Sequence, residues 1–253
     1  MNIPKNKKKE NPLLSLCCNI LIPVIILKNG SKWIKKILIQ YHGEEWVYQN
    51  SIIVDISPIV FFIALICPVI YFFYDLVNRK NINLISILGF INILLTGGIG
   101  IFGAKFGLSK NWFILKEGLL PIIIGLVLII MSKYRQSSFN NILLNDVLFD
   151  NDKIRISIKE DMKYEFQYIV RKAGYYLISG FFISSIIQFS LAYFIVVSSP
   201  GESSFNEEVS TMTWVSYIAV LLPTMLIVGK GYLELISGIE KITGLKKDEF
   251  LKS

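Results

Sequence analysis

Long apolar blocks with few charges constrain this chain more than any other feature. Five of them are long enough for a membrane-spanning helix, which needs about 18 residues or more, and they cover residues 52–74, 83–103, 112–131, 173–198 and 211–235. A sixth block, residues 13–27, covers only about 22 Å of a hydrocarbon core about 30 Å thick. This first block either spans with help from flanking residues or re-enters. The chain is 53% hydrophobic and 18% charged, more apolar than a typical soluble domain.

These blocks predict an all-α fold: a polytopic transmembrane helix bundle of about six spans. The spans form three in-out-in hairpins within a single integral membrane domain, residues 1–253. Orientation follows from Lys and Arg, which accumulate in cytoplasmic loops. With both termini inside, eighteen of these residues fall in inside segments and six in outside loops. The N- and C-termini and the loop 132–172 are therefore predicted to be cytoplasmic.

The loop 132–172 is the one large polar segment. Its stretch "FNNILLNDVLF" predicts an amphipathic surface helix, and "KYEFQYIVRK" predicts a helix that leads into the fifth span. Forty residues are too few for a hydrophobic core of their own. The net charge of +7 favours contact with a lipid bilayer that has an anionic inner leaflet. Nucleic acid is not expected as a partner, because the basic residues are not interleaved with aromatics on a soluble domain.

Four lysines between residues 28 and 36 are the exception to the charge bias, because they fall in an outside loop. The stretch "SKWIKKILIQY" has apolar residues at helical spacing. It is a candidate helix for the membrane interface.

Residues that carry catalysis or bind metals are sparse. Cys17, Cys18 and Cys67 lie inside apolar blocks without a C-x-x-C motif, and His42 is the only histidine. One histidine makes no zinc site, so no metal or cofactor is expected. No combination of nucleophile, base and orienting group is visible, and the chain is predicted not to be an enzyme.

The stretch "TGGIGIFG" is rich in glycine and contains a G-x-G-x-x-G pattern. A dinucleotide site needs that pattern between a strand and a helix, whereas here it ends an apolar block. Small residues let membrane helices approach closely, which makes Gly97, Gly98 and Gly100 candidate packing residues. The alternative is a helix broken at glycine that lines a binding cavity.

Lys116 and Glu117 are adjacent charges inside the block 112–131. If Trp112 marks the interface, they lie about 6–8 Å inside it. Lysine can extend outward to the membrane surface, whereas glutamate is too short to do so. Neighbours at i and i+1 do not face each other on a helix, so separate partners are expected. Glu117 shares a stripe with Pro121 and Gly125, which makes it the leading candidate for a functional polar residue.

Other polar residues of the spans are expected to be structural. Asn92 and Gln188 lie deep and are predicted to join helices through hydrogen bonds. Lys230 with Glu234, and Asp75 with Arg79, have the i, i+4 spacing of salt bridges at the membrane edge.

Several phrases occur in an order that resembles a known family. They are "NPLLSLCCNILIPVIIL", "LTGGIG", "KEGLLP", "FNEEVSTMT" and "GLKKDEFL". In this order they resemble an uncharacterised family of bacterial polytopic inner-membrane proteins, itself distantly similar to intracellular septation protein A. The chain departs from the family at Gln188, where Asn is usual, and in its lysine-rich segment 28–36. The resemblance implies a membrane fold and carries over no catalytic residues.

Two functions follow as expectations. The first is a non-enzymatic protein of the bacterial cytoplasmic (inner) membrane that supports cell-envelope assembly or septation through other envelope-assembly membrane proteins. The rival is a small-solute or ion transporter that uses the carboxylate of Glu117. It gains support from a weak repeat, in which "WFILKEGLLP" aligns with "WVSYIAVLLP". A lipid-modifying enzyme is a third possibility.

Overall fold

A computed structural model describes residues 14, 17–49, 56–79, 84–145, 148–202 and 204–252, without the side chains of 48–49, 78–79 and 84–89. Over these residues every regular element is a helix, and one isolated β-bridge joins Phe149 and Leu251. This confirms the all-α prediction. The helices are α1 (Ile22–His42), α2 (Glu44–Gln49), α3 (Ile56–Arg79), α4 (Leu84–Phe106), α5 (Lys110–Tyr134), α6 (Gln136–Leu143), α7 (Asn151–Ser157), α8 (Lys163–Ile195), α9 (Phe205–Thr243) and α10 (Lys247–Phe250).

Four of the described helices are long and apolar enough to cross a membrane, namely α3, α5, α8 and α9. They coincide with the predicted blocks 52–74, 112–131, 173–198 and 211–235, although residues 50–55 lie outside the described part. Helix α4 coincides with the block 83–103. The part of it whose side chains are described, Phe90–Phe106, is apolar but shorter than a membrane span. Helix α8 begins at Lys163, which confirms that "KYEFQYIVRK" leads as helix into the fifth block.

The first predicted block, 13–27, differs most from the structure. Residues 13, 15 and 16 lie outside the described part, and Cys17–Leu21 form a π-helical turn that continues directly into α1. Helix α1 does not end near residue 27 but continues to His42. Backbone hydrogen bonding therefore carries one helix from the apolar block through the whole lysine-rich segment.

The chain divides into two compact units whose boundaries fall inside α5, α8 and α9. Unit 1 comprises residues 1–117 and 189–217. Its core contains Phe61, Phe113 and Phe205, each about 1% exposed or less. The Phe205 ring contacts the other two rings, with centroid distances of 6.1 Å to Phe61 and 5.6 Å to Phe113. A single domain over 1–253 stays a prediction.

Unit 2 comprises residues 118–188 and 218–253. Its core combines residues from the long helices with residues from the polar loop and from the C-terminal segment. The largest of its fully buried side chains are Phe149, Ile154, Leu143, Phe250, Leu235 and Ile239. The loop therefore has no core of its own, as expected from its length, but it shares one with the ends of α8 and α9.

We call residues 136–157 together with 244–252 the loop module. The two parts pair through their backbones, since Asp150 donates its N–H to Phe250 O (2.8 Å) and Lys252 donates to Leu148 O (2.9 Å). The rings of Phe149 and Phe250 stack with centroids 6.4 Å apart and planes 5° apart. The predicted amphipathic helix within "FNNILLNDVLF" is α6, which ends at Leu143 and buries Phe139 and Leu143.

Substitution of Phe250 by Ala should destabilise the loop module. Phe250 is fully buried, and truncating a buried Phe to Ala costs about 3–5 kcal/mol of unfolding free energy. Limited proteolysis of the purified protein should show faster cleavage between residues 136 and 157. Ile156→Ala is the matched control, because Ile156 is 85% exposed. Equal protease resistance of both variants would contradict the shared core.

Acidification should loosen α7. The backbone N–H of Lys153 donates to Asp150 Oδ1 (3.3 Å), and this bond, aided by the Lys153 ammonium, holds the pKa of the Asp150 carboxyl below its usual value. A carboxyl whose pKa is lowered on folding stabilises the fold above its unfolded pKa and loses that effect as pH falls through the folded value.

Hydrogen exchange of the α7 amides, compared between neutral pH and pH below the folded pKa and corrected for intrinsic rates, should therefore reveal weaker protection in acid. Asp150→Asn keeps a good helix cap but removes the titration. Its α7 amides should show a smaller dependence on pH, and an undiminished dependence would contradict the assignment to Asp150.

Candidate functional site

A buried polar cluster joins α4 and α5 within unit 1. The Lys116 ammonium donates to Asn92 Oδ1 (3.1 Å) and to Thr96 Oγ1 (2.6 Å), and it forms an ion pair with Glu117 Oε1 (2.5 Å). The side chains of Lys116 and Glu117 are only 6% and 14% exposed. Thr96 and Asn92 lie near the middle of α4, so the ammonium is held against the central turns of that helix.

The ammonium of Lys116 has a complete set of acceptors. An ammonium carries three N–H donors, and Asn92, Thr96 and Glu117 each supply one acceptor. Thr96 in turn donates its hydroxyl to the Asn92 backbone carbonyl (2.8 Å), which orients its oxygen towards the lysine. The Phe113 ring lies 5.1 Å from the ammonium and adds a cation–π contact. The arrangement binds the charge tightly and leaves the ammonium no spare donor for a solute.

The geometry differs from two sequence-based expectations. Lys116 does not extend outward to the membrane surface, because its side chain is buried and reaches α4 instead. Glu117 and Lys116 also contact each other, which their i, i+1 spacing did not predict. The rule for neighbours at i and i+1 describes the Cβ directions, whereas four methylene groups let the lysine fold back towards Glu117.

The glycines of α4 differ from one another in their surroundings. A Cβ added to Gly97 would collide with Leu65 Cδ1, and one added to Gly100 would lie 2.6 Å from Phe61 Cδ1. Both glycines therefore allow α4 to approach α3. A Cβ on Gly98 would meet no heavy atom of the described residues within 4 Å, so close packing is not seen there. The glycines stand inside a continuous helix, so no helix break occurs at this point.

Pro121 and Gly125 lie in the part of α5 that belongs to unit 2, and both are buried. Proline lacks an N–H donor, so it makes no helical hydrogen bond to the carbonyl four residues earlier. In the same turn, the Ser185 hydroxyl donates to the Gly118 carbonyl at 2.6 Å and finds its own partner inside the protein. A Cβ on Gly125 would lie 3.4 Å from the Phe182 ring, which is a close but ordinary contact.

Gln188 and Glu234 have partners that the sequence did not indicate. Gln188 donates to Ser184 Oγ (3.0 Å), one turn earlier on its own helix. The spacing predicts that Glu234 pairs with Lys230, but it pairs with Lys172 of α8 (2.8 Å). It also accepts a hydrogen bond from Tyr176 (3.0 Å). A cross-helix partner replaces the local one because α8 and α9 bring Lys172 within reach.

The second predicted salt bridge, between Asp75 and Arg79, is not tested by the structure. The side chain of Arg79 lies outside the described part of the chain.

Sequence reasoning missed Thr96, whose hydroxyl oxygen accepts a hydrogen bond of 2.6 Å from Lys116. A threonine in an apolar block is too common to be informative. Its position four residues after Asn92, on the same helix face, is the one signal that could have indicated a shared partner. Within the described part of the chain, no group of three or more His, Cys, Asp or Glu residues is arranged to hold a metal ion.

No protein-family model, no curated protein and no solved structure matches this chain.

Breaking one member of the cluster should be more harmful than replacing the charged pair together. Lys116→Met removes the ammonium that pairs with the Glu117 carboxylate, and breaking a buried ion pair on one side costs about 3–5 kcal/mol. Lys116→Met combined with Glu117→Gln removes both charges and should cost much less. The free energy of unfolding in detergent is measured for the wild type, for Lys116→Met, for Glu117→Gln and for the double variant. If the loss of stability in the double variant equals the sum of the two single losses, the coupling is contradicted.

Proposed function

We propose that this chain is a six-span, non-enzymatic protein of the bacterial cytoplasmic membrane that supports envelope assembly or septation through protein partners. The observation that carries the proposal is the loop module. A polar loop and a C-terminal segment separated by about 90 residues fold together and bury Phe149 and Phe250. A membrane protein that only needed a connection between spans would not require such a packed polar surface.

The surface of the loop module offers a recognition site of suitable character. A polar cleft of about 440 Å³ is lined by Asn141, Asp150, Asn151, Asp152, Arg155 and Lys252. Both signs of charge line it, and charge complementarity of this kind favours selective contact with a protein surface. Residues 136–157 and 244–252 all fall in segments that the charge bias assigns to the cytoplasm, so the partner is expected there.

Six spans of alternating direction are supported by the arrangement inside unit 1. The start of α3 meets the start of α9, because Ser57 and Asn206 exchange hydrogen bonds of 3.1 Å and 2.9 Å. Phe113, near the start of α5, contacts Phe205 at the start of α9. Spans two, four and six of the alternating topology all begin on the outer side, so their starts are expected to meet. Helices α1 and α4 complete the count of six.

The transporter remains the second candidate because Glu117 is an acidic residue in a membrane-length helix that contains Pro121. A transporter that binds and releases its solute or ion at this carboxylate would need Glu117 to separate from Lys116 during each cycle. The saturated ammonium and the buried ion pair favour a fixed structural role instead.

A complementation experiment separates the two functions. A deletion strain carries the wild-type gene, Glu117→Gln or Arg155→Glu, each at matched membrane level, and cell length and lysis at low osmolarity are measured. We expect Glu117→Gln to restore normal cells at matched membrane level, because the Gln amide oxygen still accepts from Lys116. Arg155→Glu should fail, since it reverses a charge in the cleft. Lys110→Glu, the same reversal in a predicted outer loop, is the control and should complement.

Other outcomes would contradict the proposal. Failure of Glu117→Gln in a normally inserted protein would favour transport. Full rescue by both Glu117→Gln and Arg155→Glu would exclude both functions in the form stated here. A deletion strain with normal length and normal osmotic resistance would exclude the envelope role.

A further inference from the structure

Helix α1 presents two different flanks along its C-terminal half. Lys28, Lys32, Lys35 and Lys36 fall within an arc of about 100° on a helical projection. Roughly opposite them lie Trp33, Ile37 and Tyr41, which are 50%, 53% and 80% exposed. The separation of a basic flank from an aromatic and aliphatic flank is typical of helices that lie at a membrane surface.

Packing against α3 sets the rotation of α1. Leu27 and Gly30 are its buried residues, and a Cβ on Gly30 would lie 2.7 Å from Val60 Cγ1. Ser210 of α9 adds a hydrogen bond to the Val24 carbonyl (2.9 Å). These contacts lie in the first half of α1. Beyond Gly30 the side chains of Trp33, Ile37 and Tyr41 are exposed, as are those of the four lysines.

The basic flank is not neutralised by the protein. Residues 11–43 contain no Asp or Glu, and within the described residues none of the four lysines forms an ion pair. The flank follows the apolar stretch Ile22–Leu27 in one continuous helix. Trp and Tyr beside it are residues that concentrate at membrane–water interfaces.

We propose that the C-terminal half of α1 is a binding surface for anionic phospholipid headgroups, with the lysines on the phosphates and Trp33 and Ile37 in the acyl-chain boundary. A lipid surface fits better than a protein partner because the lysines directly follow the apolar stretch Ile22–Leu27 in the same helix. Lipid headgroups are expected at the point where such an apolar stretch ends. The inference goes beyond the proposed function and does not depend on it, since the cell-length assay can fail while lipid selectivity holds.

Brominated lipids test the proposal directly, because bromine quenches a tryptophan that it touches. The full chain with Trp33 as its only tryptophan (W46F, W112F and W214F) is reconstituted with brominated phosphatidylglycerol or brominated phosphatidylcholine. One lysine near an anionic surface contributes about fivefold in binding. We therefore expect phosphatidylglycerol to be preferred at Trp33 by at least about fivefold at low salt, and less at high salt.

Two matched variants assign the preference to charge. Replacing all four lysines by Gln should bring the preference to about one, whereas replacing them by Arg should retain it, because Arg keeps the charge. Gln at Lys241, Lys246, Lys247 and Lys252 should leave the preference at Trp33 unchanged. If the single-tryptophan chain does not fold, hydrogen exchange of residues 33–42 in the wild-type chain replaces it, with slower exchange expected in phosphatidylglycerol.

Three results would overturn the proposal. The first is equal quenching of Trp33 by the two brominated lipids, or equal hydrogen exchange of residues 33–42 in them, when the four lysines are present. The second is a preference that survives the four Gln substitutions. The third is a Trp33 that neither lipid quenches, which is the result expected if a protein or water covers this flank.

Discussion

Hydrocarbon offers no hydrogen-bonding partner, and every polar group carried into it must be satisfied by the protein itself. The structure obeys this constraint at its most costly position. Lys116 would be expensive to bury alone, but three acceptors surround its ammonium, one of them the carboxylate beside it. The same constraint explains Ser185, whose hydroxyl donates to a backbone carbonyl in the turn before Pro121. Polar residues in these helices thus act first as internal partners for one another.

Outside the apolar segments, the burial of apolar surface stabilises the structure more than hydrogen bonding does, because water there competes for every polar group. The loop module has two short helices and a four-residue helix, which are too short to be stable alone. They persist because Phe149, Phe250 and Leu143 are removed from water together with the ends of the long helices. The proposed function depends on this module for the same reason, since a packed and polar surface can present a fixed set of contacts to a partner.

Much of the fold could be predicted from the sequence, because the length and hydropathy of a block decide whether it can cross a membrane. The first block was predicted less well, because helix propensity, which lysine does not lower, carries α1 past residue 27 to His42. Of the candidate site, Glu117, Lys116 and Asn92 stood out because charged and amide groups are rare in apolar blocks. Their mutual contacts did not follow, since a contact between residues 24 positions apart depends on how two helices face each other.

The sequence by itself therefore determined the helical class of this protein, most of its long helices and which charges lie inside apolar blocks, since these depend on composition and spacing along one segment. The tertiary structure alone decided which polar groups meet, which glycines touch a neighbouring helix, and that a distant C-terminal segment completes the core of a polar loop. Those outcomes depend on distances between segments that are remote in the chain, and such distances are set only when the helices pack.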